Sequence, residues 1–216
     1  MKENILKNCI LFKDLTSEEL AYALEYFHAQ EKQYSKGRQL HREGDVMRNF
    51  GLVLSGQIQV FMDDFDGNRM IMANVTPGTT FAESLCYLKR ESPVNIEAVL
   101  DSEVLVMNTD RLSSPSASPS QLDLKLAGRF TAMLAGRALS MNDRIQILSK
   151  QSIREKVITL LSQHSSRDSK GLVRLPFSRE AMARYLGVNQ SALSRELSNM
   201  AKDGIIEFKG SSFRIL

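Results

Sequence analysis

Between Phe177 and Met200 the chain places Gln190, Ser191, Ser194 and Arg195 at spacings that share one side of a helix, opposite Leu193, Leu197 and Met200. The outward set suits the edges of base pairs. An arginine fork matches O6 and N7 of guanine, glutamine matches adenine, and a serine hydroxyl meets either a base or a phosphate. Such a set works only on a rigid mount, and the flanking residues describe one. Ser178 caps a short helix ending at Leu186, Gly187 supplies a turn, and Asn189 caps a second helix running to about Asp203. Met182, Ala183, Leu186, Val188, Leu193 and Leu197 are the apolar residues that pack the two helices at an angle, which predicts a helix-turn-helix. After Gly204, Ile205 to Phe208 and Phe213 to Leu216 flank Lys209-Gly210-Ser211-Ser212 and read as a β-hairpin wing. Lys209 and Arg214 are candidate phosphate contacts, and Ser178 joins the four outward residues in the candidate DNA-binding set. A purely structural helix pair is the competing reading.

The charge distribution favours a polyanionic partner for this end. The chain of 216 residues carries a net charge of +3, yet residues 1–149 hold 16 basic and 19 acidic residues, whereas residues 150–216 hold 12 and 6. No apolar run approaches the ~20 residues that cross a bilayer, and the polar start lacks the apolar stretch of a signal peptide, so a cytoplasmic protein without a membrane span is expected. Two cysteines, Cys9 and Cys86, fall short of the ~four thiolates of an iron–sulfur cluster or Cys-only zinc site. His28, His41 and His164 are scattered, so neither a haem nor a metal centre is expected.

The rest of the chain must position this mount. Thr16-Ser17-Glu18-Glu19 has capping-box spacing and precedes Leu20, Ala23, Leu24 and Phe27 at helical intervals. From about Gln30 to Asn108 the pattern changes to short Val, Ile, Phe and Met stretches at Phe50 to Leu54, Ile58 to Met62, Met70 to Val75 and Val104 to Met107. Six of twelve glycines punctuate them, which predicts a small antiparallel barrel or roll. The Ser/Pro stretch Ser113 to Ser120 reads as a loop. Gln121 to Ser149 contains no proline and carries Leu126, Phe130, Met133, Leu134, Arg137, Met141, Arg144 and Leu148 at spacings of three and four, which predicts one long amphipathic helix. Such a stripe exceeds what a small core covers and calls for a second copy, hence a homodimer; a helix lying flat on the barrel is the alternative. Ser152 and Glu155 cap a further helix buried through Val157, Ile158, Leu160 and Leu161. The expected division is 1–119 sensor roll, 120–149 dimerisation helix and 150–216 winged helix-turn-helix, an α+β chain.

This order of elements resembles the CRP/FNR superfamily of bacterial transcription regulators over nearly the whole chain. The similarity is carried by Glu43-Gly44-Asp45, Leu52 to Ile58, Asp66-Gly67-Asn68, Pro77-Gly78, Phe81-Ala82-Glu83, Ser152 to Lys156 and Ser178 to Met200. The resemblance implies a cyclic-nucleotide-binding-type β-roll, an effector, inverted-repeat promoter DNA read by a dimer, and RNA polymerase as a further partner. Cyclic-AMP-binding members carry Gly-Glu and a later Arg-Ser pair that holds the cyclic phosphate; here Ala82-Glu83 stands and the later pair falls near Ser92-Pro93. Without that arginine a buried phosphate lacks its bidentate partner, so an effector other than cyclic AMP is expected. Glu83, Ser84, Arg90, Ser92, Arg137 and Asn142 are the candidate effector residues. In FNR-type members a Glu precedes the Ser-Arg pair of the recognition helix; here Ser191 replaces it while Ser194 and Arg195 remain.

Two other classes compete. A nucleotide-binding regulatory module with a protein-binding tail would share the roll, and a cupin-like metalloenzyme would share the barrel. The second requires clustered histidines, whereas no two histidines here lie within ten residues. Neither a P-loop nor a nucleophile elbow is present, so no catalytic constellation is expected.

Overall fold

A computed structural model describes residues 2–63, 69–164, 172–175 and 178–216. Asp66-Gly67-Asn68, Phe177 and the polar stretch after His164 lie outside them. The chain divides into two compact units, Met1–Ala135 and Gly136–Leu216. The boundary falls within one long helix.

In the first unit, α1 (Lys2–Asn8) and α2 (Ser17–Tyr26) precede β1 (Gln30–Tyr34), β2 (Gln39–His41), β3 (Phe50–Ser55), β4 (Ile58–Asp63), β5 (Arg69–Val75) and β6 (Thr80–Phe81). Then come α3 (Glu83–Leu88), β7 (Asn95–Ala98), β8 (Ser102–Met107), α4 (Asp110–Ser113) and the start of α5 (Gln121–Leu148). The strands form two antiparallel four-stranded sheets, ordered β1-β8-β3-β6 and β2-β7-β4-β5. Thr16 Oγ1 accepts from the Glu19 amide at 3.2 Å while Glu19 Oε2 accepts from the Thr16 amide at 2.9 Å, as the capping box predicts.

Strand alternation creates two apolar layers. Phe50, Leu52 and Leu54 of β3 and Leu105 and Met107 of β8 face a cluster that includes Phe12, Phe27, Leu126, Phe130 and Met133. Val53 and Val104 face the interior of the roll with Met47, Ile58, Phe81 and Ile96. Gly51 also faces inward, where a Cβ would overlap the Phe81 ring and Val104 Cγ1. The missing side chain on β3 leaves the space that the Phe81 ring of the neighbouring strand β6 fills.

The stripe on α5 needs correction. Leu126, Phe130 and Met133 are buried against the first unit's own core, so this part of the stripe is not reserved for a second copy. Phe130 wins its place by area: its ring meets Phe50 at 5.8 Å between centroids and Tyr87 at 5.8 Å. The apolar residues of α5 left exposed are Leu124, Leu139, Met141, Ile145 and Leu148.

In the second unit, α6 (Ile153–His164), β9 (Leu172–Arg174), α7 (Arg179–Leu186), α8 (Gln190–Lys202), β10 (Ile206–Lys209) and β11 (Ser212–Ile215) follow the end of α5. Ser152 and Glu155 cap α6 reciprocally, with the Ser152 amide 3.0 Å from Glu155 Oε2 and the Glu155 amide 3.1 Å from Ser152 Oγ. The wing is a three-stranded antiparallel sheet ordered β10-β11-β9. Ile147, Val157, Leu160, Leu161, Val173 and Phe213 join the helix-turn-helix residues in one core. No described helix is long and apolar enough to cross a membrane.

Candidate nucleic-acid interface and effector site

The mount for α8 is built as its caps require. Ser178 Oγ accepts from the Ala181 amide at 3.2 Å at the start of α7. Gly187 ends it at φ 64°, where Val188 N–H returns to the Ala183 carbonyl at 3.0 Å. Asn189 Oδ1 accepts from the Ser191 amide at 2.9 Å and the Ala192 amide at 3.4 Å, which starts α8 without a break. Leu193, Leu197 and Met200 are fully buried. Gln190, Ser191, Ser194 and Arg195 are all exposed: Ser191, Ser194 and Arg195 share the side away from the buried stripe, whereas Gln190, seven residues before Leu197, is exposed as the first residue of α8.

Ser191 carries a detail the sequence did not show. Its hydroxyl donates to Asn189 Oδ1 at 2.6 Å, so only its lone pairs face outward. With its proton committed to the cap, Ser191 presents an acceptor, the role a carboxylate plays toward a cytosine amino group. On the wing, Lys209 is exposed beside the Gly210-Ser211 turn. Arg214 sits opposite Glu207 across β10 and β11, with Nη1 3.5 Å from Glu207 Oε2. Part of its charge is therefore met within the wing.

Arg179, which sequence reading passed over, holds the wing to α7. Its guanidinium lies 5.2 Å from the Phe208 ring centroid and 5.5 Å from that of Phe213, and Nη2 donates to the Gly210 carbonyl at 3.3 Å. Burial shifts its pKa down. The available signal was an arginine following a cap residue, and only the fold supplies the two rings.

The candidate effector residues divide between the units. Glu83 is 1% exposed and opens α3, whereas Ser84 and Arg90 are exposed. Arg90 lines a groove of about 600 Å³ with Glu43, Lys89, Glu91 and Ser92. Ser92 is buried and turned onto its own backbone: Oγ donates to the Val94 carbonyl at 2.7 Å and accepts from the Val94 amide at 3.3 Å. Arg137, half-buried, and Asn142, exposed, lie on the second unit's portion of α5. Cys86 is buried with Sγ 3.6 Å from Thr109 Oγ1, and burial raises its pKa, which makes it a poor nucleophile. Among the described residues no group of three or more His, Cys, Asp or Glu side chains is arranged to hold a metal ion.

Ala82 adopts φ 67° and ψ 14°, the left-handed region that glycine enters freely. A glycine at this position would enter that region without the strain that the alanine side chain brings. Ala82→Gly is expected to stabilise the protein by ~0.5–1 kcal/mol, the relief of strain less the added freedom of the unfolded chain. A rise in urea midpoint with unchanged slope checks it; a lower midpoint counts against the strain.

A ligand-type β-roll joined to a winged helix-turn-helix defines a class, the effector-responsive transcription regulators. Residues 31–114 match the cyclic nucleotide-binding domain family and residues 155–216 the Crp-like helix-turn-helix domain family. The chain belongs to the CRP/FNR superfamily. It is 26% identical to the Cyclic AMP receptor protein of Thermus thermophilus over 202 residues, covering 93% of this chain and 89% of that one. It is 25% identical to the Transcriptional activator protein FnrL of Cereibacter sphaeroides over 209 residues, 90% of this chain and 78% of the relative. The solved structure of the Thermus thermophilus Catabolite Activator Protein aligns with TM-score 0.53 at 25% identity, over 96% of this chain and 93% of that one. Regulators of this family bind DNA and act as dimers, and their nucleotide-binding-type domain implies a small-molecule effector site.

Proposed function

We propose that this chain is a cytoplasmic homodimeric regulator that reads inverted-repeat promoter DNA with α8 and answers to an effector other than cyclic AMP. The observation that carries the reading is the exposed Ser191, Ser194 and Arg195 face, with Gln190 exposed at its N-terminal end, on a helix fixed by the Asn189 cap and the buried Leu193, Leu197 and Met200. Arg195 reads guanine, Gln190 and Ser194 read neighbouring bases, Ser191 accepts from an amino group, and Ser178, Lys209 and Arg214 meet phosphates. Residues 1–119 serve as sensor, 120–149 as dimerisation helix and 150–216 as DNA-binding domain. Leu139, Met141, Ile145 and Leu148 supply exposed apolar surface for pairing two copies. An effector held near Glu83 would reset the spacing of the two α8 helices, whose half-sites lie ~34 Å apart. RNA polymerase is the partner at the promoter.

The Thermus relative is named for cyclic AMP, but here Ser92, near the phosphate position, is engaged by Val94, and proline follows it where the Arg-Ser pair would stand. A salt titration with duplex DNA tests the proposal. Affinity is expected to fall steeply with salt, by ~10³-fold or more between 50 and 200 mM for six or more phosphate contacts. Cyclic AMP is expected to leave the curve unmoved. A flat curve excludes DNA as the target, and a large cyclic AMP response excludes the ligand reading.

A further inference from the structure

We infer that Arg154 is a positioning residue for base readout, acting through the two carboxylates of α8. The inference rests on the proposed reading of Arg195 as a base contact. Arg154, the second residue of α6, donates from Nε to Glu196 Oε1 at 2.6 Å and from Nη2 to Asp203 Oδ2 at 2.8 Å. Lys156, on the same turn, donates to the Leu186 carbonyl at the end of α7, 3.3 Å away. One helical turn, itself anchored by the Ser152 and Glu155 cap, thus grips both helices of the helix-turn-helix.

Glu196 and Asp203 are the acidic residues of the stretch 189–204. Both are electrostatic liabilities there. Glu196 adjoins Arg195, where an unheld carboxylate would compete for the guanidinium or repel phosphate. Asp203 caps the C-terminus of α8, the end whose dipole disfavours negative charge. A guanidinium fork serves both at once, whereas an ammonium does not have that planar reach. Side-chain exposures of 37% for Arg154, 22% for Glu196 and 49% for Asp203 place the network in solvent, where ion pairs add little stability. Its value is geometric. The buried Leu193, Leu197 and Met200 set the depth of α8, and the clamp fixes its rotation from the flank. With a helix radius of ~5–6 Å including side chains, a 20° rotation sweeps ~2 Å, enough to break a bidentate contact.

The test uses full-length protein and two probes: the duplex enriched by the wild type from a random pool, and a scrambled duplex of equal length and composition. The ratio of their Kd values is the readout. Arg154→Ala is expected to lower the ratio about tenfold with the salt slope unchanged, because coupled neighbours shift affinity by such amounts. Glu196→Ala is expected to lower it too, and the double variant no further than the worse single one. Arg154→Lys, keeping one contact, is expected to fall between. An unchanged ratio for Arg154→Ala, additive effects, or a slope reduced by ~1, the mark of a lost phosphate contact, overturns the clamp. If Arg154→Ala does not fold, Glu196→Gln and Asp203→Asn decide, and unchanged ratios in both overturn it. Arg195→Ala separates the two layers: no change there overturns the docking reading and the clamp with it, whereas a fall there beside unaltered clamp variants overturns the clamp alone.

Discussion

Arg195→Ala is expected to remove ~1–3 kcal/mol of discrimination at each half-site, with the two losses adding across a dimer. Arg195 is exposed on the side of α8 opposite the buried Leu193 and Leu197, so truncating it opens no cavity and spares the fold. What disappears is a pair of donors that only guanine meets bidentately in the major groove. The loss should therefore fall on preferred duplex and leave binding to scrambled duplex nearly unaltered. Kd values for both duplexes measure it. A uniform loss on both would assign Arg195 to phosphate, and no loss would remove α8 from the groove.

The largest effect on stability is expected at Phe27. Phe27→Ala should cost ~3–5 kcal/mol, the range for a buried phenylalanine whose cavity cannot collapse. Its ring is fully buried, 5.1 Å from Tyr26, 6.0 Å from Phe50, 6.4 Å from Phe12 and 6.4 Å from Phe130 between centroids. Residues from the N-terminal segment, β3 and α5 thus meet on one side chain. Loss of the ring also loosens Phe130, the residue that seats α5 on the roll, so sensor stability and helix docking should fall together. Urea unfolding followed by near-ultraviolet circular dichroism measures the change; a cost under ~1 kcal/mol would contradict this packing.

The helix-turn-helix was legible because its signals are local. Ser178, Gly187 and Asn189 act on backbone groups within three or five residues of themselves, and period alone separates Leu193 and Leu197 from Ser194 and Arg195. The capping boxes at Thr16 and Ser152 were legible for the same reason. Strands β1 and β2 were not, since Gln-Glu-Lys-Gln-Tyr and Gln-Leu-His hold no apolar run and owe their conformation to pairing with β8 and β7. β9, three residues long, exists through Val173 opposite Phe213. The stripe on α5 was visible, but which surface covers it was not: periodicity tells that Phe130 is buried, and only the fold says that Phe27 and Phe50 bury it. At the effector site the residue types were readable, whereas the turn of Ser92 onto Val94 depends on one side-chain rotation. Arg154 and Glu196 stand 42 residues apart, beyond any local pattern.

Whether α8 reads paired half-sites is decided by selecting duplexes from a random pool with the purified full-length protein. Enrichment of an inverted repeat containing guanine in each half is expected, with half-site centres ~34 Å apart on one face of the duplex, and loss of that guanine when Arg195 is replaced. A pool that stays unenriched in the presence of cell extract, or one that yields unpaired sites indifferent to Arg195, would rule out paired readout by α8.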